Sequence, residues 1–496
     1  MKTPRWFSPN RLFSIVRIAE DSPPLDSSSL PDPHLTETIR GGQRTPNMKT
    51  ILKTLVCMPL LTAITITTVV LSTLTPASAA TFVETASEPF GRFGGVEYIR
   101  YTGRFVGTTD LGAYRMAFEI VAPADPGRGY GIVLIEPPHF VLGSWGRDLV
   151  LGQAFLFGHG FSYATVGFGS VGLNILDPAA TDLVLAGEPV GNLGPGPVTD
   201  FDILVQFVQA LSSEPFAVAA LGVIERKAGY GASETAEVWE VVFHRPGGQG
   251  LLDFTLLDRD VWRAPALDVV DPAFLENLPQ QFTPLTGIGK VIFVLAEADQ
   301  LISSAAQLRR SVVGPDADPG NYRVYEIAGA PHVDAPPPFN PLNFHGVVRA
   351  MLLAGDQWVR AATPPPPSAL LAQAPPGAID PVYGFETGIA RDTELNALGG
   401  IRFPDVEVDR ALFIASLLDV EILPGFPGLV GAWFDLQCVP LADGSPRFAS
   451  HGDYVQRVVR QANALQRSGF LLEADAVALI QQAAESEVGN PHTCAQ

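Results

Sequence analysis

The chain has 496 residues, of which 47% are hydrophobic and 17% charged, with a formal net charge of −20. That balance describes a globular protein with a substantial core and excludes a disordered one. The acidic excess argues against binding nucleic acid through a basic face and against attraction to an anionic membrane surface.

Residues 1–47 are polar and proline-containing, which reads as an upstream extension that is either disordered or not translated. Met48-Lys49-Thr50 opens a second candidate start. Lys49 and Lys53 form a basic region, Leu55–Leu74 is an apolar run, and Ala77-Ser78-Ala79 is a small-residue cleavage site. The expectation is a signal peptide over 48–79 and export to the periplasm or beyond, with no membrane partner after cleavage. An uncleaved anchor is the alternative, since the run is about long enough to span.

Residues 80–365 read as alternating strands and helices. Phe105–Thr109 and Tyr114–Ile120 have β character and flank Asp110-Leu111-Gly112. Tyr130–Glu136 is a continuous apolar run suited to a buried central strand, ended by Pro137-Pro138-His139. Leu149–Phe157 reads as a helix and Ser162–Val166 as another buried strand. Residues 169–199, rich in Gly, Pro, Asp and Leu, read as a surface excursion. Apolar residues at 201, 204, 207, 208 and 211 recur at helical spacing behind Thr199 and Asp200, both suitable caps.

Strands are also expected at Val223–Ala228, Leu251–Leu257, Lys290–Ala296 and Tyr322–Ile327, with a polar helix around Ser303–Val312. The alternation predicts a mostly parallel sheet flanked by helices on both faces. Prolines make 366–380 a stiff linker. It leads to a C-terminal extension over 381–496, where Tyr454–Leu465 and Glu473–Ala484 read as an amphipathic helical pair. Past residue 79 the chain keeps two cysteines, Cys438 and Cys494. In an exported protein these are either a disulfide or two unrelated thiols, and no metal site can be built from them.

Gly231-Ala232-Ser233-Glu234-Thr235 is a Gly-x-Ser-x-Thr variant of the turn that exposes a nucleophilic serine between strand and helix. Alone it is a weak signal. Residues farther along the chain give it weight. A serine nucleophile needs a base, and the base needs an acid to orient it. Asp299 or Glu297 comes after one strand and His332 after the next, so the order Ser, acid, His is met at strand ends. Asp299, a little farther beyond its strand, is the preferred acid, with Glu297 as the alternative. Ser162 precedes its strand and is rejected as a nucleophile. Oxyanion donors would be the N–H of Glu234 and, because Pro137 and Pro138 have none, that of His139 or Phe140. Two features run against a tight elbow. Glu225-Arg226-Lys227 is highly charged for a central strand, and Thr235 stands where glycine is usual.

These residues resemble a bacterial family of often-secreted α/β-hydrolase-domain proteins whose substrates are largely unassigned. The similarity runs from about residue 95 to the C-terminus and includes Gly131–Glu136, the elbow, Leu295–Asp299 and Glu326–Asp334. Trp358-Val359, Gly399-Gly400-Ile401-Arg402-Phe403-Pro404 and Gly469–Leu472 with Asp475-Ala476 are also similar. The resemblance implies an α/β-hydrolase fold, with the triad carried to Ser233, His332 and one of Asp299 or Glu297. Arg402 could clamp a substrate carboxylate or serve a buried structural pair. The resulting expectation is an exported serine hydrolase acting on small carboxylic esters through an acyl-enzyme, with no cofactor. The alternatives are an amidase or lactonase, or a decayed hydrolase fold that only binds.

Overall fold

The structure, a computed structural model, describes residues 80–496 except 111, 140–143, 169–199, 260–288, 304–309, 311–312, 314–319, 424–425, 491 and 495–496. The extension expected at 1–47, the signal peptide expected over 48–79, the excursion expected at 169–199, most of the helix expected at Ser303–Val312, and Phe140 lie outside the described residues. The described residues belong to a single compact unit.

Nine strands make one sheet: β1 (Thr81–Phe93), β2 (Val96–Thr109), β3 (Gly112–Pro123), β4 (Ile132–Ile135), β5 (Ser162–Val166), β6 (Arg226–Ala232), β7 (Phe254–Asp258), β8 (Lys290–Ala296) and β9 (Tyr322–Ile327). Their spatial order is β1-β2-β3-β5-β4-β6-β7-β8-β9. The first three strands run as an antiparallel meander joined to β5, and from β5 to β9 every neighbouring pair is parallel. A parallel sheet must be covered on both faces, and the strand sequences show it. Along β8, Ile292, Val294 and Ala296 enter one core, while Val291, Phe293 and Leu295 enter the other.

Helix α1 (Phe201–Ala210) and helix α2 (Glu234–His244) cover the second face through Phe207, Val208, Trp239 and Val242. The first face is covered by α3 (His345–Ala361), which buries Val347, Val348, Met351 and Leu352. Asp200 caps α1 by accepting the Asp202 N–H at 3.0 Å. Where a single helix was expected at Leu149–Phe157, the chain instead makes a wide turn at Gly146–Leu151 and a short helix at Gln153–Gly158. The break is at Gly152, which takes a positive φ of 80° that most side chains would oppose.

Residues 366–380, expected as a linker, are hydrogen-bonded to the open side of β9. Ala369 donates to Val324 O at 3.0 Å, and the Glu326 N–H donates to Ala369 O at 2.9 Å. The Gly-Gly-Ile-Arg segment joins the same side, with Ile401 donating to Glu326 O at 2.8 Å. Its glycines are required by contact. A Cβ on Gly399 would lie 2.5 Å from Ala372 N, and one on Gly400 would lie 2.5 Å from Glu326 O. Farther along, α4 (His451–Arg467) and α5 (Glu473–Glu485) pair with each other. They add Leu465 and the intervening Leu471 to the first-face core.

Candidate active site

Ser233, Asp299 and His332 each stand just past the carboxyl end of a parallel strand: β6, β8 and β9 respectively. Adjacent parallel strands place their ends side by side, so residues far apart in sequence meet there. Ser233 Oγ lies 3.0 Å from His332 Nε2, and His332 Nδ1 lies 2.7 Å from Asp299 Oδ1. All three side chains are buried. Asp299 Oδ2 accepts the Ala296 N–H at 2.8 Å, which fixes the carboxylate against the end of its own strand.

The elbow is sharp. Ser233 has φ 57° and ψ −127°, a region that non-glycine residues occupy only when the surroundings enforce it. Gly231 is part of the enforcement. A Cβ there would lie 2.7 Å from Thr235 C and 2.8 Å from Ala236 Cα, and closer still to Thr235 O. Thr235, in the place where glycine is usual, closes the turn. Its hydroxyl accepts the Ala232 N–H and donates to Ala232 O, both at 2.8 Å. The charges before the elbow are also accommodated. Arg226 and Lys227 occupy the far end of β6, and burial becomes complete from Ala228 onward. Arg226 Nε donates to Asp356 on α3 at 2.8 Å.

Glu297 is held elsewhere. Its Oε2 accepts the Gly329 N–H at 2.7 Å and its Oε1 accepts from Arg391 at 2.6 Å. It anchors the turn leading to His332, and Asp299 is the carboxylate that meets the imidazole. Arg402 is likewise committed to its own neighbourhood. It donates to Glu407 at 2.7 Å, to Asp392 at 2.8 Å and to the Ala397 and Val406 carbonyls, and to none of Ser233, Asp299 or His332. Cys438 and Cys494 are joined by a disulfide.

Glu234 opens α2, where backbone N–H groups have no acceptor within the helix. The side chain of His139, from the loop after β4, reaches Glu234: Nε2 lies 2.8 Å from Oε2. This contact ties together the two segments whose N–H groups were expected to face the oxyanion. The His139 ring meets Trp145 edge to face at 4.7 Å.

Three further groups at the strand ends were not singled out from sequence. At the end of β4, burial pushes the Glu136 carboxyl up to about 7. It accepts the Gly146 N–H at 2.6 Å and the Tyr163 hydroxyl at 3.0 Å. At the end of β7, burial pushes the Asp258 carboxyl up to about 6 against the opposing pull of Arg259. Arg259 pairs with Asp258 and has no exposed surface. The only hint in the sequence was an Asp-Arg-Asp run closing an apolar strand.

Among the described residues no group of three or more His, Cys, Asp or Glu side chains is placed to hold a metal ion. A cleft of about 480 Å³ opens between the start of α3, the loop at 337–343 and the α4–α5 pair. None of Ser233, Asp299 or His332 lines it.

No curated protein matches the chain in sequence. Among solved structures, it is similar to a fungal esterase from Rhizomucor miehei, with 12% identity, 57% of this chain and 86% of that one covered, and a TM-score of 0.33. It is also similar to an arylesterase (12% identity, 51% and 84% covered, TM-score 0.32). A third is an S-formylglutathione hydrolase from Agrobacterium tumefaciens (10% identity, 50% and 91% covered, TM-score 0.31). Likenesses this distant say nothing about substrate. The family described as "Alpha/beta hydrolase domain" matches residues 106–481. That match spans most of the sheet and all three strand-end residues, and the chain belongs to the alpha/beta hydrolase domain family.

Proposed function

We propose that the protein is an exported carboxylic ester hydrolase that works through an acyl-enzyme on Ser233. The observation that carries this reading is the continuous contact from Ser233 Oγ to His332 Nε2 at 3.0 Å and from His332 Nδ1 to Asp299 Oδ1 at 2.7 Å. In this mechanism the Ser233 oxygen attacks the ester carbonyl while His332 takes its proton. Asp299 holds the imidazole in the tautomer that leaves Nε2 able to accept. The tetrahedral oxyanion is met by the Glu234 N–H and by one from the loop at His139 or Phe140. His332 then returns the proton to the leaving alkoxide. Water attacks the acyl-enzyme with His332 again as base, which releases the acid and regenerates Ser233.

The strained φ at Ser233 supports the nucleophile role, because strain of this kind persists where the surrounding structure enforces it. Export is proposed from the basic, apolar and small-residue pattern over 48–79. A fluorophosphonate probe tests the central claim on residues 80–496. Labelling that disappears in Ser233→Ala supports it, and a folded wild-type protein that resists labelling sinks it. A panel of p-nitrophenyl esters, anilides and lactones then separates ester from amide or lactone chemistry.

A further inference from the structure

We propose that the dipeptide Asp258-Arg259 is a positioning element that sets the distance between nucleophile and base. The inference rests on the serine-hydrolase reading and extends it to residues with no part in the triad.

The argument begins with the backbone. Ser233 N–H donates to Asp258 O at 2.9 Å, so Asp258 fixes the main chain of the nucleophile. The next residue fixes the main chain of the base, since Arg259 Nε donates to His332 O at 2.6 Å. One dipeptide therefore grips both partners, the nucleophile through the Asp258 carbonyl and the base through the Arg259 side chain. It is itself fixed to the sheet, because the Arg259 N–H donates to Val294 O at 2.8 Å. Nucleophile and base come from β6 and β9, with β7 and β8 between them. Asp258-Arg259, at the end of β7, spans that gap.

Burial and conformation point the same way. Arg259 is fully buried and adopts φ 63°, the left-handed region that a long side chain enters only at a cost. Its guanidinium is held on every side. Asp258 takes Nη1 in an ion pair, and the Tyr230 hydroxyl donates to the same carboxylate oxygen at 3.0 Å. Nη2 faces His345 Nε2 at 3.3 Å and Asp334 Oδ1 at 3.7 Å. The rings of Trp145 and Phe344 lie 5.1 and 4.4 Å from the guanidinium carbon. Trp145 is the ring that meets His139, so the grip continues to the loop expected to furnish the second oxyanion donor.

A stably folded protein could discard a buried ion pair for apolar side chains with little loss, often with a gain. What an apolar replacement cannot supply is a donor for the His332 carbonyl. A lysine could carry the charge but not the planar fork that serves a carbonyl and a carboxylate together.

The test uses residues 80–496 and the fluorophosphonate probe, with kinact and KI measured separately. Arg259→Met alone leaves Asp258 buried without its cation, so the double variant Asp258→Asn/Arg259→Met removes the pair as a unit. Arg259→Lys is the variant to read if that protein does not fold. The expected result, at unchanged circular dichroism, is a kinact lower by about 10- to 100-fold with KI within twofold. That range is the effect of misplacing a reacting group by up to about 1 Å. The downfield proton resonance of the His332–Asp299 hydrogen bond should broaden or vanish. A variant that only loosened the fold would lower the melting temperature and leave both readouts in place. A folded variant with kinact within threefold of wild type overturns the proposal. A wild-type protein that is not labelled at Ser233 overturns the serine-hydrolase reading instead.

Discussion

Replacing Gly231 by alanine puts the elbow to a quantitative test. The added methyl would lie 2.8 Å from Ala236 Cα and 2.7 Å from Thr235 C, whereas non-bonded carbons rest at about 3.5–4.0 Å. The obstacle is backbone on the first turn of α2, so no rotamer change relieves it. The turn must open by about 0.8 Å, which at a reacting group costs on the order of 10²-fold in rate. The same overpacking costs about 1–3 kcal/mol of stability. The assay is the rate of fluorophosphonate labelling, paired with a urea melt of the same sample. We expect labelling slowed about 10- to 100-fold and a melt displaced to lower urea at unchanged slope. If Gly231→Ala labels within threefold of wild type at the wild-type midpoint, the elbow does not have the contact described and the reasoning from it is wrong.

Other outcomes rest on single features. Thr235→Val keeps the side-chain shape but strips the hydroxyl from the N–H and carbonyl of Ala232. It should cost about 1–3 kcal/mol in urea melts, while Thr235→Ser stays close to wild type. Equal midpoints for the two would refute the hydroxyl clamp. Burial pushes Glu136 and Glu326 up to about 7 and Asp258 up to about 6. These folded carboxyls hold protons that the unfolded chain has released, so their stabilisation is full below about pH 4 and fades as pH rises to about 7. Burial pushes His345 down to about 3, aided by Arg259 and Arg349, and it acts in the opposite sense as pH falls below about 6.5. Together with Asp409, which burial pushes up to about 6, these carboxyls outweigh the one imidazole and predict melting temperatures that decline between about pH 5 and 7, with a shallower decline in Glu136→Gln. A flat profile in the wild type would contradict this. Cys438→Ser/Cys494→Ser opens a link across 56 residues. Chain entropy puts its contribution at about 4 kcal/mol, readable as the difference in urea stability between the two proteins.

Much of the sheet was legible because its parallel strands are short, β-rich runs bounded by glycine, proline or charged turns. Ser162–Val166, Lys290–Ala296 and Tyr322–Ile327 fall where the sequence puts them. The order of Ser233, Asp299 and His332 along the chain comes from the same strand ends. The spacing beyond the strand favoured Asp299 over Glu297, but what holds Glu297 aside was not legible. It turns on Arg391 and the Gly329 N–H, and Arg391 lies 94 residues from Glu297. The charged start of β6 misled for a similar reason, since Arg226 finds its partner in Asp356, 130 residues on. Strand β1 escaped notice because most of its residues are exposed or half-buried, so no apolar alternation marks it. Arg259 gave no periodic signal either. Its importance lies in a bond to the His332 carbonyl, and a main-chain acceptor leaves no trace in residue identity.

The segment laid along β9 has a bearing on how the protein could be trimmed. Without Ala369 and Ile401, the outermost strand would present bare donors and acceptors to solvent, next to the turn that carries His332. Such a rim is a template for association with other chains. A version of the protein cut at residue 365 would therefore be expected to stick to itself while keeping Ser233, Asp299 and His332. Residues 366–401 act as a selvedge, keeping the cloth from fraying beside Ser233, Asp299 and His332.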